Sequence, residues 1–95
     1  MTVSGKTVAV SRRELALLAS LVAHEGSVVS REDLYRAAWG QELRDGDRSV
    51  DVYVHKLRRK IEAVAPSEQL IHTHFGFGYR LEAGSRDVHI TDTRP

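Results

Sequence analysis

The chain has 95 residues, 41% hydrophobic and 28% charged, with a formal net charge of +1, which suits one small domain with a single modest core. It contains no cysteine, so disulfides, thiolate zinc sites and thiol catalysis are excluded. No apolar run approaches the roughly 18 residues of a membrane span, and the start MTVSGKTVAV lacks the charged and apolar regions of a secretory signal, so a cytoplasmic setting is the simplest expectation.

Residues 1–10 carry a short β signal, with Gly5-Lys6 as the turn between Thr2-Val3-Ser4 and Thr7-Val8-Ala9-Val10. Ser11 followed by Glu14 has capping-box spacing and opens a first helix reaching about Ala23. Its apolar side is expected to be Leu15, Leu18, Leu21 and Val22, with Leu17 and Ala19 beside them. Gly26 suits the left-handed position after that helix. Val28-Val29 is a brief apolar pair before a second start signal, Ser30 with Asp33. A short helix from Arg31 to about Trp39 should follow, facing Leu34, Ala38 and Tyr35 inward and closed by Gly40. Residues 41–46 are polar and turn-rich, an exposed loop.

The third helix, about 47–64 and capped by Asp47 or Asp45, is the most informative segment. Val50, Val54, Leu57, Ile61 and Val64 recur at steps of 4, 3, 4 and 3. At about 100° per residue they fill a band roughly 80° wide. Arg48, Val52, His55, Lys56 and Arg59 lie opposite. Between Arg48 and Lys60 there are five Lys/Arg (Arg48, Lys56, Arg58, Arg59, Lys60) against one acid, Asp51, so the rest of the chain is net acidic. An apolar back and a basic front suit a helix lying in a DNA major groove, although many such helices are only solvated surfaces.

After Pro66 the period becomes alternating, and Leu70–His74 and Tyr79–Glu82 read as a hairpin around Phe75-Gly76-Phe77-Gly78. A domain of residues 1–83 and a mobile tail of 84–95 are expected. The fold class is then α+β, a winged helix-turn-helix of three helices with a C-terminal β-hairpin wing and a short N-terminal β-hairpin.

Certain stretches, in this order and spacing, resemble the winged-helix effector domain of the OmpR/PhoB family of bacterial response regulators. They are Ser11-x-x-Glu14-x-x-Leu17-Leu18, Gly26–Leu34, Trp39-Gly40, Arg48–Ile61 and Gly76-Phe77-Gly78-Tyr79-Arg80-Leu81. The resemblance covers roughly residues 5–82. It implies sequence-specific binding to duplex DNA in two-component transcription regulation, as a homodimer on direct repeats, with the third helix in the major groove. Carried over by position, Arg48, Ser49, Val52, Tyr53, His55, Lys56 and Arg59 would lie at or near the DNA. Arg58, on the flank, would reach a phosphate or pair with an acid. Trp39 would touch the DNA backbone, as would Thr73 and Tyr79 from the wing. The loop before the helix, with Glu42, Leu43, Arg44 and Asp45, would contact RNA polymerase or serve as a plain connector.

Two departures stand out. Family members usually carry a longer N-terminal sheet of about four strands, often behind a receiver domain, and here there is room for one hairpin, leaving a cut-down chain or a compact variant. The resemblance also puts the wing, residues 70–82, on the DNA backbone or in the minor groove. Many members place there a basic residue that enters the minor groove, where this chain has Phe75, with Phe77 two residues on. Phe75 either packs against sugars or closes the hairpin over the core.

Among the remaining candidates, Lys56 is the first choice for reading bases, and Val52 faces either a thymine methyl or nothing. Asp51 should orient His55 or Arg58 by local pairing. His72 and His74 share a strand face, but no third ligand is obvious, so no metal or cofactor is expected. No phosphate-cradling loop or serine nucleophile motif is present, and no enzymatic activity is expected. The alternative to DNA binding is a winged helix that docks on RNA polymerase or a partner regulator.

Overall fold

A computed structural model describes residues 1–3, 5–66, 69–83 and 88–89, the last two by backbone alone. In chain order the elements are β1 (Thr2–Val3), β2 (Lys6–Thr7), α1 (Arg12–Ala23), β3 (Val28–Ser30), α2 (Arg31–Trp39), α3 (Ser49–Val64), β4 (Ile71–His74), β5 (Gly78–Leu81) and β6 (Val88–His89). The strands form two antiparallel three-stranded sheets, ordered β2-β1-β6 and β3-β5-β4.

The helix starts follow local chemistry. Ser11 Oγ accepts from the Glu14 N–H while Glu14 Oε1 accepts from the Ser11 N–H at 2.7 Å, a complete capping box. Ser30 Oγ receives the Asp33 N–H at 3.1 Å at the start of α2, and Gly40 ends that helix at φ 71°. The third helix begins two residues later than its periodicity suggests. Arg48 is its N-cap and makes no side-chain cap bond; instead Asp47 Oδ1 accepts the Ser49 N–H at 2.8 Å.

One core joins all three helices to the second sheet. Leu17, Leu18 and Leu21 of α1 meet Leu34 and Tyr35 of α2, then Val50, Val54, Leu57 and Ile61 of α3, with Val29, Ile71, Tyr79 and Leu81 from the strands. Each aliphatic side chain so buried contributes about 1.5–3 kcal/mol. The expected stripe of α3 is the buried one, with Val64 half-buried at its end. On α1 the buried face is rotated: Glu14 and Leu17 are inside, whereas Leu15 is half-buried and Ala19 exposed.

Two strands depart from the sequence reading. Val28-Val29 belongs to β3, which pairs with β5 in the register Val28↔Arg80, Val29↔Tyr79, Ser30↔Gly78. The wing is therefore the outer part of a three-stranded sheet, not a free hairpin. Val88 and His89, expected in a mobile tail, form β6 and pair with β1 (Thr2↔His89, Val3↔Val88), so the N-terminal hairpin gains a third strand. The rest of the expected tail, 84–87 and 90–95, lies outside the described residues. At the other end, the register Val3↔Lys6 places Lys6 in β2 and not in the turn.

Gly78 fixes how closely β5 approaches β3. Its φ is 151°, and a Cβ there would lie 2.0 Å from the Val29 carbonyl oxygen. No other residue type fits without moving backbone.

Candidate nucleic-acid interface

The periodicity that buries one side of α3 presents Arg48, Val52, His55, Lys56 and Arg59 outward, all exposed. Ser49 and Tyr53 are half-exposed along the same helix. The apolar member, Val52, is 48% accessible, so this face combines three long cations with one aliphatic contact.

The other two basic residues of the segment are turned to structural use. Arg58 donates from Nε and Nη2 to the Ile71 carbonyl, at 3.2 and 3.0 Å, and from Nη2 to Thr73 Oγ1 at 2.6 Å. Expected to meet a phosphate or an acid, it fastens α3 to β4. Lys60 Nζ donates to Glu14 Oε1 at 2.6 Å, joining α3 to the buried cap of α1. Burial opposes ionisation of Glu14, but the bonds from Lys60 and Ser11 outweigh it and hold the carboxyl below its ordinary range.

Asp51 has the structural role expected of it, with different partners. Its Oδ1 accepts from Arg31 Nε at 2.8 Å and from the Tyr79 hydroxyl, and Arg48 Nε stands 3.6 Å from Oδ2. Oδ2 itself is buried without a hydrogen bond. Burial again opposes ionisation, and the Tyr79 and Arg31 bonds outweigh it, so the Asp51 pKa is lowered. This node ties the start of α2, the first turn of α3 and the wing strand β5 together. It also corrects the reading of Tyr79, expected on the DNA backbone: the side chain is buried, its hydroxyl is engaged, and the guanidinium carbons of Arg31 and Arg58 lie 5.4 and 5.5 Å from its ring centroid.

A second chain of contacts reaches Lys56. Trp39 stacks on Tyr35 at 4.6 Å and meets Tyr53 edge-on at 5.4 Å. Arg13 lies 4.6 Å from the Trp39 ring, and Lys56 Nζ lies 5.0 Å from that of Tyr53. Trp39 is thus half-buried packing that braces α3.

In the loop, Glu42, Arg44 and Asp45 are exposed, whereas Leu43 is half-buried against the core and offers little to a partner. Arg36 pairs with both Glu42 oxygens at 3.1 Å, fixing the loop to α2 and holding the Glu42 carboxyl below its ordinary range. In the wing, Thr73 is half-exposed, and Phe75 and Phe77 are 86% and 74% accessible, so neither closes the hairpin over the core. His74 Nε2 accepts from Arg80 Nε at 3.1 Å. Among the described residues no group of three or more His, Cys, Asp or Glu is placed to hold a metal.

Sequence reasoning missed Arg13, Arg31 and the Glu14–Lys60 pair. Arg31 and Asp51 are 20 residues apart, and Glu14 and Lys60 are 46, so no local spacing links them.

Comparison with known proteins fits this geometry. The family model described as transcriptional regulatory protein, C terminal, matches residues 5–81. The transcriptional regulatory protein AfsQ1 of Streptomyces coelicolor is 38% identical over 82 residues, covering 86% of this chain and 36% of that protein. The chain thus spans about a third of the length of this curated relative. Among solved structures, the DNA-binding domain of CpxR from E. coli superposes with a TM-score of 0.72 at 33% identity, covering 82% of this chain and 76% of that one. The Klebsiella pneumoniae RstA DNA-binding domain, solved in complex with the RstA box, gives 0.72 at 32% identity, covering 82% and 77%.

Proposed function

From the premise that the chain belongs to the family of C-terminal transcriptional regulatory domains of OmpR/PhoB type, we propose that α3 reads duplex DNA through Lys56, with Arg59 and Arg48 on phosphates. The protein is a winged helix-turn-helix that binds DNA in a sequence-specific manner and regulates transcription. The observation that carries the finer reading is the outward face of α3, where Arg48, Lys56 and Arg59 are exposed while Arg58 and Lys60 are tied to partners within the protein. Phosphate neutralisation supplies most of the affinity, and a few side chains supply the preference. Val52 and His55 complete the base-facing surface, Ser49 and Tyr53 sit at its edge, and Thr73 offers its hydroxyl to the backbone from the wing.

The exposed loop residues Glu42, Arg44 and Asp45 are proposed as an RNA polymerase contact, and a homodimer on repeated half-sites is proposed as the bound form. The role is non-catalytic. Among the described residues no helix is long and apolar enough to cross a membrane. A domain of a family that regulates transcription has its target on the chromosome, and on that ground we place the protein in the cytoplasm.

The test is selection of bound sequences from a random duplex pool, followed by titration of the winner and a scrambled control across salt. A defined motif bound on the order of a thousandfold more tightly than the control is expected. No enriched motif, with binding that disappears as salt rises, overturns the reading and leaves a protein partner as the target.

A further inference from the structure

The two flanks of α3 are held by different parts of the protein. At about 100° per residue, Asp51 and Arg58 fall on one flank, and they join α3 to β5 through Tyr79 and to β4 through Ile71. Tyr53 and Lys60, two turns apart, fall on the other. Lys60 meets Glu14, and Tyr53 meets Trp39, whose ring lies against Arg13. Two contacts that share no residue therefore set the first turn of α1 beside the flank of α3 opposite the wing.

Arg13 is the side chain of that turn nearest the outward face. Its guanidinium carbon lies 4.6 Å from the centroid of the Trp39 ring. From there the contacts run through Tyr53, edge-on to Trp39 at 5.4 Å, to Lys56 Nζ at 5.0 Å from the Tyr53 ring. Two aromatic rings thus link Arg13 to the middle of the exposed face of α3. Its sequence neighbour Glu14 is engaged by Ser11 and Lys60, so among the described residues Arg13 is matched by an aromatic face and not by a carboxylate. A cation in the first turn of a helix opposes the helix dipole, yet Arg12 and Arg13 both stand there. Helix stability does not account for them. An aromatic face orients a guanidinium without neutralising it and leaves its N–H edge free for an anion. A helix lying in a major groove is bordered by phosphates on both sides. The wing lies toward one border, and the first turn of α1 lies toward the other.

We propose that Arg13 binds a backbone phosphate on the side of α3 away from the wing, held ready by the Trp39 ring, so that α1 joins α3 and the wing in the DNA-binding surface. This deepens the DNA-binding reading and rests on it. The contact fixes how α3 sits in the groove and displaces one further counterion, without reading a base.

The experiment titrates the selected duplex across salt with the unaltered chain, Arg13→Gln and Arg13→Lys. The titrations are repeated on duplexes in which single phosphates are replaced by uncharged methylphosphonates. Arg13→Gln should reduce the salt slope by about 1, so its deficit should widen about threefold as salt falls from about 200 to about 50 mM. Arg13→Lys should keep the slope, since the charge remains. Neutralising one phosphate on the border away from the wing should weaken the unaltered chain and leave Arg13→Gln unaffected. Equal binding by Arg13→Gln overturns the proposal. A deficit of constant size at every salt concentration also overturns it and reduces Arg13 to a brace for Trp39, as does an Arg13→Gln chain that responds to every methylphosphonate as the unaltered chain does. If the unaltered chain selects no motif, the DNA reading itself fails first, a separate result.

Discussion

At the scale of single residues, position on α3 separates side chains tied within the protein from those left exposed for the proposed DNA contact. Lys56 is exposed in the middle of the outward face, with its ammonium near the Tyr53 ring, and Arg59 lies one turn further on. Lys56→Ala should relax base preference at one position, whereas Arg59→Ala should weaken all sequences evenly and reduce the salt slope by about 1. Equal effects of the two variants on every duplex in a binding series would contradict that division. Tyr79 of the wing is likewise tied within the protein, because its hydroxyl donates to Asp51. Tyr79→Phe removes that donor and leaves Asp51 with Arg31 as its hydrogen-bond donor at Oδ1. A hydrogen bond to a charged group contributes about 1.5–3 kcal/mol, so the variant should unfold at lower denaturant with little change in DNA affinity of the folded form. A pure affinity loss at unchanged stability would return Tyr79 to the interface.

Among the elements, the sheet depends on one residue without a side chain. Gly78→Ala would drive a methyl group to 2.0 Å from the Val29 carbonyl oxygen, between two strands that are hydrogen-bonded to each other. Backbone must move, and a cost of about 3 kcal/mol is expected, measured as a lower unfolding midpoint together with loss of amide protection in β3. Retention of that protection would show that the sheet yields easily. The same strand marks the limit of what sequence conveys. The helices were legible because caps and apolar periodicity are local: Ser11 with Glu14, Ser30 with Asp33, Gly40, and the repeat from Val50 to Ile61. Val28-Val29 was not legible as a strand, because two apolar residues carry no alternation and gain their conformation from β5 some fifty residues later. β6 escaped notice for the same reason, since its register comes from β1 at the opposite end of the chain. The outward face of α3 could be read from its period. The pairing of Arg58 and Lys60 within the protein could not, because their partners are 13 and 46 residues away.

For the molecule as a whole, the Glu14–Lys60 pair joins α3 to α1 and bears on how stability responds to acid. Glu14 is almost fully buried, while the Lys60 side chain is 41% accessible, so the carboxylate has more to lose if the pair is broken. Removing a donor from a buried charged acceptor costs about 1–3 kcal/mol. Lys60→Met keeps much of the apolar stem and deletes the charge, so it should lower the melting temperature while the salt slope of DNA binding stays as it was. A reduced slope would instead make Lys60 a phosphate contact. The pH dependence has a definite sign. The Glu14 pKa is lower in the folded state than its ordinary value, so the unfolded chain binds this proton first as pH falls. The pair's contribution is complete above the ordinary glutamate range and is lost as pH drops through the folded value. Glu14→Gln should therefore melt lower than the unaltered chain at neutral pH, and the gap should narrow on acidification. A constant gap across that range would mean that the carboxyl stabilises only as the neutral half of the cap, and that the ion pair contributes nothing.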